Sequence, residues 1–307
     1  MESGFVGGPR SPISFDELGK KSPAELLEYI RSWLPQQEGN GETDGWHHEA
    51  ESVAGLAGVL TTVVQSRPEE FSRIAQQFIG LDPTYVRGFL EGIFNAARKR
   101  DTIDWAAVIG LCHWAAGELA EIGSRDALGD RDTNWTWTKQ TITRVLQEGL
   151  NEESNAVPFL SPDEVWDTIK TLLHSPDVLQ GNEEAELSSH FDPLTRSLNT
   201  VSGSALHAAI KYALWVRHFD KTFQGISSIS EFAAALDYVL ERPEVYGLTS
   251  RAVLGQWFPW LVLIDATWAK DQVDRIFPEQ KERARLWEAA WSTYMDSQPT
   301  ATPRMVL

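Results

Sequence analysis

Three short stretches of the chain bring together side chains that carry chemistry in many proteins. The first holds His47, His48, Glu49 and Glu51. His47 and Glu51 are four residues apart and share a face if the segment is helical. An imidazole and a carboxylate so placed can begin a metal site. Zinc needs three or four ligands, however, and the His-Glu-x-x-His spacing is absent. The same residues suit a helix N-terminus, where Glu49 and Glu51 favour the dipole. That second reading is the one taken, so no metal is expected. The next stretch is Cys112 beside His113, a thiol next to a base. Neighbours on a helix point about 100° apart, which does not make a nucleophile and base pair. With Val108, Ile109, Leu111 and Trp114 around them, a buried structural pair is expected. Lastly, Ser202, Ser204 and His207 follow Asn199 and flank Gly203. A hydrolase elbow needs Gly-x-Ser-x-Gly on a strand-to-helix turn, and here there is neither a strand nor a second glycine. The expectation is a helix start, with Asn199 or Ser202 as cap and His207 packed inside. No catalytic residue is therefore assigned.

Phosphate and dinucleotide motifs are missing too, and no cofactor is expected. One helix carries a basic group, Arg87, Arg98, Lys99 and Arg100. Arg87, Arg98 and Arg100 are a candidate anion site, or else cations that suit a helix C-terminus. Two aromatic pairs also admit two readings. Trp135 with Trp137, and Trp257 with Trp260 around Phe258 and Pro259, are either exposed anchors for a protein partner or core residues.

The elements that must position these residues read as helices. Alternating strand patterns are scarce. Ser22-Pro23, Asp82-Pro83 and Ser161-Pro162 each place a capping side chain before a proline at the first helical position. Arg67-Pro68 and Asp192-Pro193 are weaker versions of the same signal. Asp104 caps a further helix through Trp105 and Cys112. Apolar residues at 3.6-residue spacing predict helices over about 22–34, 49–66, 68–78, 83–100, 104–119, 135–150, 161–173, 203–218, 231–240, 250–264, 266–277 and 280–296. The 203–218 helix is apolar all round, as expected of one covered on several sides. Pro259 should kink or break the helix around it. Residues 36–45 read as an acidic linker, 122–131 as a loop, and 175–196 as the longest irregular segment.

About a dozen short helices with no fixed repeat period predict an all-α fold, an irregular α-solenoid or multi-helical bundle. The expected organisation is an N-terminal helix and acidic linker (1–45), a helical subdomain (46–175), an acidic irregular connection (176–196) and a C-terminal helical subdomain (197–307).

Composition narrows the partners. The 307-residue chain holds 13 Trp and a formal net charge of −17. Nucleic acid is thus not expected as the main ligand. Ten acids face one lysine between Asn151 and Pro193, which reads as a solvated face or an acidic patch for a basic partner. A single cysteine fits a reducing compartment. Met1 is not followed by a charged start and apolar run, and the longest apolar stretch, near Trp257 to Ile264, is too short to span a membrane. A cytoplasmic protein, without membrane contact, is expected.

Several stretches resemble a known kind of helical region. They are Leu81 to Val86, Asp104 and Trp105 with Leu111 to Trp114, Asn134 to Trp137, Leu198 to Trp215, and Gly255 to Trp260. Together they are similar to the helical, solenoid-like region of large, poorly characterised bacterial defence-type proteins that carry an NTPase or effector module elsewhere. In that pattern an arginine often precedes the glycine of the turn, where this chain has Ser202. The resemblance implies a helical scaffold or sensor region in antiviral defence and carries over no catalytic residue. The leading expectation is a non-enzymatic module that presents a groove or concave face to a protein partner. The alternatives are an enzyme of an unrecognised all-α family, with a carboxylate and histidine site in a central cavity, and a structural subunit of an obligate assembly. The oligomeric state stays open.

Overall fold

The computed structural model describes residues 9–35, 51–119, 132, 134–151, 157–158, 162–175, 192–242 and 244–297, the side chains of 244 and 245 excepted. Among these residues the fold is all-α, with fourteen helices and three 3-10 turns. They are α1 (Phe15–Gly19), α2 (Pro23–Ser32), α3 (Val53–Ser66), α4 (Pro68–Arg73), α5 (Pro83–Arg98), α6 (Trp105–Gly117), α7 (Thr136–Gly149), α8 (Pro162–Leu173), α9 (Pro193–Asn199), α10 (Val201–Phe219), α11 (Ser230–Glu241), α12 (Glu244–Ile264), α13 (Ala266–Ile276) and α14 (Ala284–Ser297). The described residues hold no strand, only one isolated bridge between Arg10 and Glu51. His47, His48, Glu49, the 36–45 linker, the 122–131 loop and most of the acidic stretch lie outside the described residues.

All five X-Pro pairs singled out in the sequence start a helix. Proline loses nothing there, because its missing N–H has no helical partner. Ser22 and Glu25 form a capping box that satisfies donors in both directions. Asp82, Asp104 and Asp192 accept from the N–H groups of Thr84, Ala107 and Thr195. The turn before α10 differs from expectation. Thr200 is its N-cap, and Ser202 and Gly203 lie within the helix. Two helices meet there, because α9 ends at Asn199 and leaves one residue for the junction.

Two compact units divide the chain, Met1–Gly149 with Glu153–Val165, and Leu150–Glu152 with Trp166–Leu307. In the first unit α3 packs on α5 and α5 on α7. Leu56, Leu60 and Val64 of α3, Phe89 and Ile93 of α5, and Ile142 and Leu146 of α7 are all fully buried. Gly88 and Gly92 let α5 approach α3 closely, since a methyl group on either would press into Ala57 or Val64. At that crossing the Thr61 hydroxyl donates to the Gly88 carbonyl at 2.9 Å.

The second unit is built around α12, which packs against α9, α10, α11, α13 and α14. This is a hub, unlike a stack in which each hairpin touches only its neighbours. Ala252, Val253 and Leu254 are fully buried. Gly255 allows the closest approach, for a Cβ there would collide with the Ala290 carbonyl oxygen of α14. Beside it the Thr293 hydroxyl donates to the Ala252 carbonyl at 2.7 Å. Pro259 sits inside α12 without breaking it into two helices. Packing on both sides holds the helix through the missing hydrogen bond, because Leu261 and Ile264 beyond the proline are buried as Leu254 is before it. Residues 201–210 of α10 are buried throughout, as a helix covered on several sides requires.

Gly255→Ala should destabilise the second unit by about 1–3 kcal/mol, as overpacking at a close crossing does. Denaturant unfolding followed by tryptophan fluorescence would measure it. A change under about 0.5 kcal/mol would mean that the crossing relaxes freely.

Candidate functional site

The polar centre of the second unit is a chain of three side chains. Trp257 Nε1–H of α12 donates to His207 Nδ1 of α10 at 2.8 Å. His207 Nε2 lies 2.9 Å from Ser197 Oγ of α9, and that hydroxyl reaches the Leu194 carbonyl at 2.6 Å. The indole N–H is only a donor, so Nδ1 must accept and the proton sits on Nε2. Nε2–H then donates to Ser197 Oγ, whose own proton goes to Leu194. Every group is satisfied in one direction.

That direction decides the chemistry. A nucleophilic serine needs an imidazole nitrogen free to accept its proton, and an orienting carboxylate on the far side. Here the nitrogen facing Ser197 already carries a proton, and the far side meets an indole donor. Both His207 and Ser197 are buried. The relay therefore acts as a polar pin joining α9, α10 and α12. Burial, with Lys211 one turn on, pulls the His207 imidazole down to about 4. Ser202 and Ser204 are buried as well, and Ser202 Oγ accepts from Arg242 at 3.1 Å.

An exposed apolar feature lies on the second unit. Beyond Pro259, Trp260 is 49% exposed and Val262 and Leu263 are exposed beside it. Phe258, one turn before Val262, meets Phe277 and Tyr294 at ring distances of 5.1 and 6.0 Å. Tyr294 leads to Trp291 at 5.6 Å, and Trp291 stacks on Trp287 at 5.4 Å. Trp291 and Met295 are exposed. An aromatic face thus runs across α12 and α14 of one unit.

The structure separates the aromatic residues that the sequence grouped. Trp135 is 8% exposed and edge-on to Trp114 at 5.4 Å, so it is a core residue and not a partner anchor. Its φ of 62° turns the chain into α7, where Asp132 accepts from the Thr138 N–H at 2.6 Å. Trp137 is 41% exposed, with the Arg87 guanidinium 5.0 Å from its ring centre. Trp257 is half-buried with its N–H committed to His207. Only Trp137 and Trp260 remain as exposed members of the two pairs, one in each unit.

The arginines do not converge either. Arg87 lies on Trp137, and Arg98 is directed to Phe94 at 5.8 Å. Three turns of α5 separate them. Arg100 has φ 66° and ends α5 in a Schellman arrangement, its N–H bonding Ala97 and the next N–H bonding Ala96. Helix termination accounts for its position. Cys112 and His113 are also parted. Cys112 is buried, which pushes its thiol well above the ordinary value, whereas His113 is exposed. The expected buried pair is half right, because adjacent helical positions face different ways.

Val262, Leu263, Trp291 and Met295 were missed in the sequence. A signal existed. Trp287, Trp291 and Met295 recur every fourth residue beside the buried stripe of Leu286, Ala290 and Thr293. Two apolar stripes on one helix are more than a single core contact needs.

Among the described residues no group of three or more His, Cys, Asp or Glu side chains is arranged to hold a metal. No described helix is long and apolar enough to cross a membrane. Compared with known proteins, the chain matches no protein-family model, no curated protein and no solved structure.

The histidine pin predicts a pH dependence. The folded value of about 4 lies below the ordinary 6.5, so the neutral ring is the folded form. Its contribution is complete above pH 6.5 and is lost as pH falls toward 4. Stability should drop by about 2 kcal/mol between pH 7 and pH 5 through this residue. Denaturant titrations of wild type and His207→Gln at both pH values would isolate it. Equal slopes in the two proteins would refute the assignment.

Proposed function

We propose that this chain is a helical protein-interaction module and that the aromatic face of α12 and α14 is its contact surface. One observation carries the reading. Trp260, Val262, Leu263, Trp291 and Met295 are exposed on a unit whose core is otherwise closed by well-buried side chains. Exposed large apolar side chains grouped on two packed helices are candidates for an interaction site. Burying it gains roughly 25 cal/mol per Å², and tryptophan is the residue most enriched among binding hot spots. The histidine relay supports the same reading, since it spends its polar groups on holding α9, α10 and α12 together.

The net charge of −17 shapes the partner. A strongly acidic protein would be repelled at long range, so the fitting partner presents an apolar centre with a neutral or basic rim. A scaffold or sensor role in bacterial antiviral defence is the setting proposed, and it rests on the sequence resemblance.

The test compares co-purification from the native host for four proteins: wild type, Trp260→Ser with Leu263→Ser, Trp291→Ser with Met295→Ser, and Trp137→Ser as a control. Circular dichroism and melting temperature confirm that each is folded. A specific partner should fall at least about tenfold in both double variants, the scale expected for hot-spot loss. It should persist in Trp137→Ser, which alters the other unit. Equal recovery in all four proteins would defeat the proposal.

A further inference from the structure

The first unit carries a different kind of surface, in which cations alternate with rings. Arg87, Glu91, Phe94 and Arg98 recur at three- and four-residue spacing, so they share one face of α5. Trp137 and Arg144, seven residues apart, share one face of α7. The two faces meet. The Arg87 guanidinium lies 5.0 Å from the Trp137 ring centre, and the Arg144 guanidinium lies 4.2 Å from that of Phe94. Contact advances by seven residues on both helices, so α5 and α7 run in the same direction along a seam. Arg98 also lies over the Phe94 ring, at 5.8 Å. Arg87 and Arg98 stay apart on α5, but α7 supplies a cation that makes a pair: Arg98 and Arg144 share one ring.

The three arginines differ in what neutralises them. Glu91 stands 4.0 Å from Arg87. Arg98 and Arg144 are exposed, and among the described residues no carboxylate comes within ion-pair distance of either. That includes Glu148, one turn beyond Arg144 on α7. An exposed ion pair ordinarily contributes little, because two long side chains must be held in one geometry. Here Phe94 already restrains both cations. A guanidinium over a ring uses its face, and its N–H groups remain free to donate in its own plane. Part of the ordering is therefore complete before a ligand arrives.

We propose that the seam of α5 and α7 binds a short acidic peptide segment of a partner protein, with adjacent carboxylates on Arg98 and Arg144 and an apolar side chain on Trp137. Charge complementarity supports this choice, since the planar guanidinium fork matches a carboxylate. Trp137 is 41% exposed and lies one rung away. Rungs seven residues apart are separated by about 10 Å, and the face from Arg87 to Arg98 is about 16 Å long. An extended segment of about five residues covers it, which places the apolar residue about three positions from the acids. A nucleic acid fits less well. Its backbone brings a charge at every step, and Glu91 stands between the two rungs. The net charge of −17 also opposes a polyanion. A peptide can set a neutral residue opposite Glu91.

The experiment titrates the full chain calorimetrically with an end-blocked peptide, Gly-Leu-Ser-Gly-Glu-Glu-Gly. Wild type should bind it with a measurable Kd that weakens as sodium chloride is raised. The same peptide with Gln-Gln in place of Glu-Glu should bind at least about tenfold more weakly, the scale of a lost charge-assisted contact. Arg98→Ala and Arg144→Ala should each weaken the Glu-Glu peptide about tenfold. Both alter exposed side chains, so both should melt as wild type, and either one decides the matter if the other fails to fold. Trp291→Ser with Met295→Ser, which changes the second unit, should leave this Kd unaltered. Failure here is thus separate from failure of the aromatic face as a contact surface. Absence of binding by wild type, equal binding of the two peptides, or an unchanged Kd in a folded arginine variant would overturn the proposal. A single-stranded thymidine 12-mer that binds more tightly than the peptide would also overturn it, in favour of a nucleic-acid surface.

Discussion

At Gly255 the backbone of α12 lies against the carbonyl of Ala290 on α14, and the packing of the second unit depends on that distance. A hub helix must touch five neighbours within 21 residues. It can do so only where side chains are small enough for backbones to close up. Close approach creates a second demand, because carbonyls brought together in a dry interface need donors. Thr293 supplies one to Ala252. The first unit meets the same demand in the same way, with Thr61 donating to the Gly88 carbonyl where α5 crosses α3. A small residue for distance and a threonine for the backbone recur at a close helix crossing in each unit.

The remaining buried polar groups follow from that closeness. His207 is caught between α9 and α12, where its two ring nitrogens meet Ser197 and Trp257. A neutral imidazole with one donor and one acceptor fits such a place, and Trp257 and Ser197 match it one for one. Asp132 does comparable work in the first unit, its backbone N–H bonded to Thr84 and its carboxylate to Thr138. These networks fix which helices meet. Arg251 stands apart because, among the described residues, only one of its three nitrogens has a partner, the Leu240 carbonyl.

Surface and core are linked through α12. Its first half is enclosed, and the half beyond Pro259 carries Trp260, Val262 and Leu263 into solvent. The proline suits that change of environment, since a missing backbone hydrogen bond costs less on an exposed side that water can reach. Rings from α14 extend the apolar surface without a break in contact, from Phe258 through Tyr294 to Trp291. The helix that organises the core therefore also presents exposed apolar side chains.

By itself the sequence determined the helices. Local rules suffice for that: proline at the first turn, a capping oxygen before it, and apolar residues at 3.6-residue spacing act over only a few positions. The five proline starts, the all-round burial of α10 and the termination of α5 near Arg98 were legible for that reason. Which indoles face water was decided only by the tertiary structure. Trp135 and Trp137 are two residues apart, yet one is core and the other surface, because α7 begins between them and turns them to different sides. The partner of His207 was likewise beyond local reading. Ser202 and Ser204 are nearer in sequence, but the ring bonds Ser197 of the preceding helix and Trp257, fifty residues away. Arg251 lies in an apolar run, and its bond to the Leu240 carbonyl forms only when α11 is brought against α12. Residue types fixed what each segment is able to form, and the packing distances at Gly88 and Gly255 selected which side chains meet.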